Sequence, residues 1–268
     1  MFKVMSFNIR GAVHADGPNS WSQRADLNCQ TILQAAPDII GFQELMTGNK
    51  ETYDVKLPDY AYELGPRVSM ENRAGTWEHP AIYWRRDRFQ RIGAGHFYLS
   101  KTPERYALDW GAQQGRALTW VQLRDREYNQ DLVIMNTHFS HVSAEARLRS
   151  AEMVGERAAT FAATHPVILT GDFNVTAYRT PGPTPYSVLL KAGFADTLPD
   201  ASQGSQPTHT FHNFKGDLFD DLHLRIDWIL VNDPADGLQT QAASIIRDAQ
   251  PPLYPSDHYP VVATFAYP

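Results

Sequence analysis

Short β-rich runs outnumber helical runs along this chain, and several follow one another with only a loop between them. The predicted strands span residues 2–9, 38–43, 81–84, 116–123, 132–137, 167–170, 226–231, 243–247 and 261–266. Apolar residues recur at helical spacing over 21–36 and 143–164, and Ser143 is expected to cap the second helix. This order of elements predicts a layered α/β sandwich, in which mixed or antiparallel sheets are covered by helices.

The size and charge of the chain limit the classes of protein to which it can belong. With 268 residues, of which 43% are hydrophobic, the chain can bury a large core, and one globular domain over 1–268 is predicted. A formal net charge of −6 disfavours broad binding to nucleic acid, because such binding relies on lysine and arginine to neutralise phosphates. A bound divalent cation can reverse the field inside one pocket, so a phosphorylated substrate remains compatible with this charge.

The N-terminal segment and the single cysteine give no sign of secretion or membrane insertion. No basic segment leads into an apolar one at the start, and no apolar run approaches the roughly 18 residues of a membrane span. Cys29 cannot form an intramolecular disulfide and falls within a helical pattern, where a buried apolar role is expected. The sequence therefore predicts a cytoplasmic protein, and it leaves the oligomeric state open.

Polar residues able to bind metal or phosphate recur where an apolar strand meets a loop. Taken singly, each has an ordinary structural explanation: Asn8 as a turn former, His138 as a satisfied structural histidine. Together they are better explained by one shared site, because the start of a strand lies beside the end of its antiparallel neighbour. The residues concerned are Asn8, Glu44, His138, Asp172, Asn174, Asp227, Asp257 and His258.

These residues lie in ordered motifs that resemble the endonuclease/exonuclease/phosphatase superfamily over nearly the whole chain. The motifs are Ser-Phe-Asn-Ile (6–9), Gly-Phe-Gln-Glu (41–44), Asn-Thr-His-Phe (136–139), Gly-Asp-Phe-Asn (171–174), Arg-Ile-Asp-Trp-Ile (225–229) and Ser-Asp-His-Tyr-Pro-Val (256–261). The resemblance implies a four-layer DNase I-like α/β sandwich, with two mixed, mainly antiparallel sheets packed face to face and flanked by helices. The segments between the motifs look like a bacterial branch whose members mostly lack an assigned substrate.

A divalent metal and one titratable pair follow from this resemblance and from the residue types. Glu44, Asn8 and Asp257 supply hard oxygen ligands that suit Mg²⁺ or Mn²⁺, and the resemblance makes Glu44 the principal ligand. His258 titrates near neutrality and is expected to pair with Asp227.

The remaining motif residues are expected to handle the water and the phosphate. By resemblance, Asp172 orients or deprotonates the attacking water, Asn174 helps to hold it, and His138 donates to a nonbridging oxygen. Whether Asp172 or His258 is the general base stays open at this point.

Several further residues are weaker candidates for contacts with the substrate. Arg116 can match a phosphate with its guanidinium, although an arginine at the start of a strand is commonly a solvated flank. His209 and His212 are candidates to line the pocket, but exposed loop histidines are the preferred interpretation. Glu78, Trp77 and Trp110 are candidates of the same rank.

The sequence thus predicts a Mg²⁺-dependent phosphodiesterase or phosphatase of a small or medium phosphorylated molecule. The alternative within the same chemistry is a DNA or RNA endo- or exonuclease, which requires a basic stripe beside the pocket. The best local candidates for that stripe, read mainly as solvated charges, are Arg85, Arg86, Arg88 and Arg91. The alternative from another class is a catalytically silent module that binds a phosphorylated ligand. Retention of a usable group at every motif position disfavours it.

Overall fold

Two β-sheets form the centre of the molecule in the computed structural model, which describes residues 1–69, 76–177, 182–198 and 207–268. The first sheet contains β1 (Phe2–Asn8), β2 (Ile39–Leu45), β3 (Tyr60–Glu63), β4 (Val68–Ser69), β5 (Trp77–Arg85), β12 (Gln239–Ile245) and β13 (Val261–Ala266). The second contains β6 (Phe89–Tyr98), β7 (Ala117–Asp125), β8 (Gln130–His138), β9 (Val167–Asp172), β10 (Ala195–Asp196) and β11 (Asp227–Asn232).

The strand order places the chain's motifs at the middle of both sheets. The first sheet runs β12-β13-β1-β2-β5-β3, with β4 also paired to β5, and the second runs β10-β11-β9-β8-β7-β6. Strands β1 and β2 are parallel, as are β8 and β9, whereas the other pairs in the described residues are antiparallel. The mixed, mainly antiparallel sheets expected from the sequence are confirmed.

Helices cover the outer face of each sheet, so that the fold has four layers. The helices are α1 (Trp21–Ala35), α2 (Thr47–Lys56), α3 (Ala144–Ala162) and α4 (Pro185–Lys191). One hydrophobic cluster joins α1 and α2 to the first sheet, a second fills the space between the sheets, and a third joins the second sheet to α3 and α4. This arrangement is the four-layer sandwich that the resemblance implies. In the described part of the chain, no helix is long and apolar enough to cross a membrane.

The alternation of side chains along the strands determines which polar residues face the space between the sheets. On β1, Phe2 and Val4 belong to the cluster between the sheets, whereas Met5 and Phe7 pack against the helices. Asn8 therefore follows Phe2 and Val4 onto the inner face, at the end of the strand. The same alternation places the last residues of β8 and β9 and the first of β11 on the inner face. A period of two thus brings polar side chains to one rim.

Every strand and both helices expected from the sequence are present, but α2, α4 and several peripheral strands were not foreseen. The buried residues of α2 are Asn49 and Tyr53, so this helix has no continuous apolar stripe to reveal it. Strand β6 is an edge strand that is largely half-buried or exposed, and it lacks a clear alternation. Elements at the periphery bury too little apolar surface to leave a periodic signal in the sequence.

Candidate active site

Four pairs of residues face each other across the gap between the sheets, at the rim where the motif strands end. Strands β13, β1, β2 and β5 of the first sheet lie opposite β11, β9, β8 and β7 of the second, in the same lateral order. We call this row the facing pairs, and its members are His258 with Asp227, Asn8 with Asp172, Glu44 with His138, and Glu78 with Arg116. The row includes Glu78 and Arg116, which the sequence ranked as weaker candidates.

Three of the facing pairs are closed by a direct contact and one is open. His258 Nδ1 lies 2.9 Å from Asp227 Oδ2, and Asn8 Nδ2 donates to Asp172 Oδ2 at 2.9 Å. At the other end, Arg116 NH1 donates to Glu78 Oε1 at 2.6 Å. No hydrogen bond or ion pair joins Glu44 to His138, although both line a cavity of about 660 Å³. The open pair therefore offers space for a ligand.

Glu44 reaches the cavity only because the backbone departs from a regular strand. Along β2, Glu44 would share the helix-facing side with Ile40 and Phe42. Its φ of +62° is left-handed, and the pairing of β2 with β5 shifts register between Phe42 and Leu45. Irregularities of this kind re-aim a side chain and cluster at functional sites.

The carboxylate of Glu44 is held in its ionised form. Its Oε1 accepts from Asn8 Nδ2 at 3.1 Å, its Oε2 accepts from Gly11 N at 3.1 Å, and His14 Nε2 lies 3.2 Å from Oε2. Burial favours the protonated acid, but His14, His138 and Arg10 outweigh burial and hold the pKa of Glu44 well below its usual range. Glu44 thus presents anionic oxygen atoms at the open pair.

Directly beneath the facing pairs, buried polar side chains fix the distance between the sheets. Asn136 Nδ2 donates to Phe42 O at 2.7 Å and to Ala81 O at 3.0 Å, and Gln43 Nε2 donates to Asn136 Oδ1 at 2.7 Å. A Cβ on Gly41 would lie 2.0 Å from a side-chain oxygen of the second sheet, so this position requires glycine. Motif residues Gly41, Gln43 and Asn136 therefore support the site without reaching the cavity.

His258 and Asp227 form a buried, charged pair. Burial disfavours the imidazolium, but the charge and hydrogen bond of Asp227, together with Asp172 and Asp257, raise the pKa of His258 to about 10. Thr210 Oγ1 accepts from the backbone nitrogen of Asp227 at 3.1 Å, which fixes the start of β11. At neutral pH, His258 carries a proton on Nε2, which lies 3.8 Å from Asp172 Oδ2.

Asp172 is a buried carboxyl group whose ionisation lies near neutrality. Burial, followed by the charge of Asp227, raises the pKa of Asp172 to about 7. Its Oδ1 accepts from Asn174 N at 2.9 Å, and its Oδ2 lies 3.4 Å from His138 Nε2. Asn174 adopts a left-handed φ of +52°, and its Nδ2 donates to Phe139 O at 3.0 Å. This turn brings the Asn174 amide and the Asp172 carboxyl group to the same side of the cavity.

His138 is neutral, in contrast to His258. Burial and the adjacent Arg116 guanidinium hold the pKa of His138 well below its usual range. Arg116 NH1 lies 3.1 Å from His138 Nδ1 and can only donate, so this nitrogen accepts and a neutral ring then holds its proton on Nε2. Asn174 Nδ2, also a donor, lies 3.0 Å from Nε2, so one of these two side chains must rotate before Nε2 donates into the cavity. After that rotation, His138 can donate one hydrogen bond without carrying a charge.

The donor set fits a divalent cation bound by oxygen. After burial, like charges raise the pKa of Asp172 through Asp227 and that of Asp257 through Glu44, so acidic groups crowd one another in this part of the cavity. Crowded hard oxygen ligands suit Mg²⁺ or Mn²⁺. Asn8 turns its amide nitrogen towards the carboxylates while its Oδ1 accepts from Arg10 N at 3.0 Å, so Asn8 could ligate only after its amide turned over.

A second cluster has ligand-like spacing but different chemistry. One ligand atom from each of Asp172, Asp227 and His258 lies within 4.8 Å of the others. The Nδ1 of His258 is already engaged by Asp227, and its high pKa keeps both ring nitrogens protonated. His258 and Asp227 therefore form a hydrogen-bonded pair with Asp172 3.8 Å away, and this group is less suited to hold a cation than the oxygen atoms near Glu44.

Some weaker candidates lie away from the cavity. The expectation that His209 and His212 are exposed loop histidines was wrong, because both are fully buried. His212 packs 4.0 Å from the Tyr259 ring and His209 contacts Arg247, and neither lines the cavity. They are buried because Thr210 and its neighbours bond to the backbone beside His258, as when Tyr259 N donates to Thr210 O at 2.7 Å.

Two tryptophans and the cluster of arginines also lie outside the lining of the cavity. Trp77 is 41% exposed, and neither it nor Trp110 lines the cavity. Three of the arginines are ion-paired to neighbouring carboxylates, namely Arg85 to Asp87 at 2.8 Å, Arg88 to Asp125 at 2.8 Å and Arg91 to Glu63 at 2.9 Å.

These arginines also lie at the wrong end of the sheets for a basic stripe beside the pocket. Trp84, the residue before Arg85, pairs with Ile39 at the start of β2, whereas Glu44 lies at its end. A run of basic residues in the sequence is therefore not adjacent to the facing pairs in the fold.

Sequence reasoning missed two kinds of residue. His14, His141, Gln114 and Phe211 line the cavity, but nothing in their local sequence distinguishes them from ordinary loop residues. Arg24 is fully buried in α1 and donates to Ile9 O at 2.8 Å and to Pro255 O at 3.0 Å, so it holds together the loops that carry Arg10 and His258. A charged residue on the apolar face of the predicted helix was the available signal.

Comparisons with known proteins agree with this geometry. The family model described as Endonuclease/Exonuclease/phosphatase family matches residues 5–258. The chain is similar to a mannosyl-6-phosphatase from Bacteroides thetaiotaomicron, with 26% identity, a TM-score of 0.83 and coverage of 100% of both chains. It is also similar to an endonuclease/exonuclease/phosphatase from Bacteroides vulgatus, with 26% identity, a TM-score of 0.82, and coverage of 100% of this chain and 99% of the other.

A more distant structure shares the fold alone. D. rerio TDP2 in complex with a single-strand DNA product has 16% identity and a TM-score of 0.74, over 99% of this chain and 98% of the other. The search of curated proteins found no match to the chain.

Proposed function

The chain belongs to the endonuclease/exonuclease/phosphatase family, and we propose that it is a divalent-metal-dependent phosphatase or phosphodiesterase of a small or medium phosphorylated molecule, with a phosphorylated sugar as the first candidate. The observation that carries this proposal is the open pair of Glu44 and His138, flanked by the closed pair of Asn8 and Asp172. An anionic ligand, a neutral donor and a carboxyl group of near-neutral pKa then surround one space, as hydrolysis of a phosphate ester requires.

The pKa values of the buried groups support Asp172 as the general base. Its pKa of about 7 leaves a large fraction ionised at neutral pH, and Asn174 is positioned beside it to hold a water. His258 has a pKa of about 10 and already holds its proton, so it acts as a donor to a phosphoryl oxygen and stabilises the developing charge. Asp227 keeps the imidazolium oriented through Nδ1.

Glu44 and Asp257 are the side chains that would hold the metal. A bound Mg²⁺ or Mn²⁺ would supply Lewis acidity towards the phosphoryl group. His138 donates from Nε2 to a nonbridging oxygen, which its neutral state permits without adding charge to the resting site.

The volume of the cavity and the positions of the arginine side chains favour a small substrate over a nucleic acid. A volume of about 660 Å³ suits a molecule of drug or sugar-phosphate size. The arginines that a nuclease would use are ion-paired at the far end of the sheets. The similar mannosyl-6-phosphatase supports a phosphorylated sugar as the first substrate to test. Retention of all the motif groups argues against a silent binding module.

Release of product from a substrate panel tests this proposal. The panel contains mannose 6-phosphate, p-nitrophenyl phosphate, bis-p-nitrophenyl phosphate, and single- and double-stranded DNA, each with Mg²⁺, Mn²⁺ or EDTA. We expect turnover of a small ester that requires metal and is lost in Glu44→Ala and His258→Ala. Preferred cleavage of DNA would favour the nuclease alternative, and metal binding without turnover of any substrate would favour the binding module.

A further inference from the structure

The facing pair of Glu78 and Arg116 lies at the end of the row opposite His258. The proposed reaction does not involve the carboxyl group of Glu78. Both side chains are almost fully buried, and both line the cavity together with Gln114. Burial of a charged pair costs solvation free energy, and a hydrophobic pair of similar volume is often at least as stable. A cost of this kind at the wall of a cavity calls for a functional explanation.

Part of this cluster is engaged and part is open. Glu78 Oε1 accepts from Gln114 Nε2 at 2.8 Å and from Arg116 NH1 at 2.6 Å. Glu78 Oε2 makes no hydrogen bond to any residue that the structure describes, and Arg116 Nε is buried without a partner. A carboxyl oxygen that no described residue engages, beside the amide of Gln114 at the wall of a cavity, matches hydroxyl groups, because a hydroxyl both donates and accepts.

The cavity also has an apolar part of its lining. Phe211, Leu224, Ile226 and Val175 line it, and the Phe211 ring lies 5.0 Å from that of His258. Polar and apolar lining in one cavity suits a molecule that carries both hydroxyl groups and C–H groups.

The charges in the cavity disfavour a second phosphate on the substrate. Arg10 is paired with Asp16 at 3.0 Å and Arg116 with Glu78, so neither cavity arginine is free of a carboxylate in the described residues. A second phosphate placed near Glu78 would have to displace Glu78 from the guanidinium of Arg116.

We propose that Glu78, Gln114 and Arg116 form a subsite that binds the hydroxyl groups of the alcohol whose phosphate is cleaved. The substrates are then monophosphates of polyhydroxylated molecules such as sugars. This inference rests on the proposed function, and it adds the part of the site that selects the leaving alcohol.

Binding of phosphonates that cannot be hydrolysed tests the subsite separately from catalysis. Titration calorimetry of the Mg²⁺-loaded protein would compare the phosphonate isostere of a hexose 6-phosphate with phenylphosphonate, which has no hydroxyl group on its ring. We expect the wild type to bind the hexose compound about 10- to 100-fold more tightly, which is the effect of one or two hydrogen bonds to charged groups. In both Glu78→Gln and Gln114→Ala, this preference should fall about tenfold or more.

Asp125→Asn provides a matched control. Asp125 is fully buried and ion-paired to Arg88, but it lies at the end of β7 away from Arg116. This variant should keep the preference of the wild type. If Glu78→Gln fails to fold, Gln114→Ala removes an uncharged member of the same cluster and still tests it.

The possible outcomes separate the subsite from the reaction. Equal affinity for the two phosphonates in the wild type, or a preference that survives both substitutions, would overturn the subsite. A preference that depends on Glu78 and Gln114 supports the subsite even if mannose 6-phosphate is not hydrolysed, and that failure would count against the proposed function alone. Hydrolysis without any preference would count against the subsite alone.

Discussion

The two ends of the row of facing pairs are built alike and behave differently. Each consists of a buried acid and a buried base contributed by opposite sheets, His258 with Asp227 at 2.9 Å and Arg116 with Glu78 at 2.6 Å. In the first, Asp227 is the main reason that the pKa of His258 reaches about 10 despite burial. In the second, burial raises the pKa of the Glu78 carboxyl group to about 8, even though Arg116 opposes this shift.

The difference indicates that the role of each pair depends on the residues next to it. His258 directs Nε2 towards Asp172, so a proton held by the first pair lies next to the proposed general base. Glu78 has Gln114 beside it and an unengaged oxygen, so the second pair offers hydrogen bonds to a ligand. We therefore propose that similar acid–base pairs at the two ends of the cavity have different roles, catalysis for His258 with Asp227 and substrate recognition for Glu78 with Arg116.

The largest expected effect separates the two ends by kinetics. His258→Ala should lower kcat for mannose 6-phosphate by about 10²- to 10⁴-fold, because it removes a positioned proton donor. Glu78→Gln should act mainly by raising KM, because it removes contacts to the alcohol and leaves the proton donor in place. Steady-state kinetics of the two variants provides the check. Equal losses of kcat at both ends would contradict the division of tasks.

The next effect concerns the pH dependence of the first end. Without the negative charge of Asp227, burial should lower the pKa of His258 from about 10, so the alkaline limb of activity should move to lower pH in Asp227→Asn. The Glu78→Gln profile serves as the comparison, since this pair does not contact His258. An alkaline limb that stays in place in Asp227→Asn would show that His258 is not the group responsible.

Arg24 provides a way to weaken the first end without touching its chemistry. Arg24→Met removes hydrogen bonds to Ile9 O and Pro255 O, and should lower the free energy of unfolding by about 2–4 kcal/mol. Because Arg24 holds the loops that carry Arg10 and His258 and makes no hydrogen bond to Glu78, Gln114 or Arg116, kcat should fall while the preference for the hexose phosphonate persists. Urea denaturation and the phosphonate titrations would measure the two effects. Loss of that preference would show that the two ends are coupled.

The smallest expected effect concerns the stability of the metal-free protein. Glu78 has a folded-state pKa of about 8 against an ordinary 4.5, so its contribution is complete below pH 4.5 and is lost as the pH rises through 8. For His258, the corresponding loss occurs between 6.5 and about 10. Urea midpoints should therefore be measured from pH 5 to 10. Compared with the wild type, the midpoint of Glu78→Gln should decline less steeply up to pH 8. The midpoint of Asp227→Asn should decline less steeply between pH 6.5 and about 10. Identical differences from the wild type in both windows would contradict these assignments.

The sequence predicted the first end of the row better than the second for a physical reason. Asn8, Asp172 and Asp227 stand at the ends of apolar strands, and the period of two places them on the inner face, so local pattern was sufficient. Glu78 ranked low because its importance depends on Arg116, which lies 38 residues further along the chain. Contacts between distant segments leave no periodic trace.

Two other differences between the predicted and the observed structure also arise from contacts between distant segments. Arg24 bonds to Pro255 over 231 residues, so its role as a link between loops was hidden, although its place on the apolar face of α1 was visible. His209 and His212 were expected to be exposed because Thr-His-Thr-Phe-His resembles a polar loop. In the fold, His212 N donates to Asp257 O at 2.9 Å, and this pairing buries the segment against the loop before β13.

The most direct test of the central claim is the release of inorganic phosphate from mannose 6-phosphate by the Mg²⁺-loaded wild type and by Asp172→Asn. Asp172 lies between the two ends of the row, so the proposed reaction depends on it whichever pair selects the substrate. We predict metal-dependent release by the wild type and a loss of about 10²-fold or more in the variant, with Mg²⁺ binding retained through Glu44. Undiminished release by Asp172→Asn would contradict the assignment of this row as the active site.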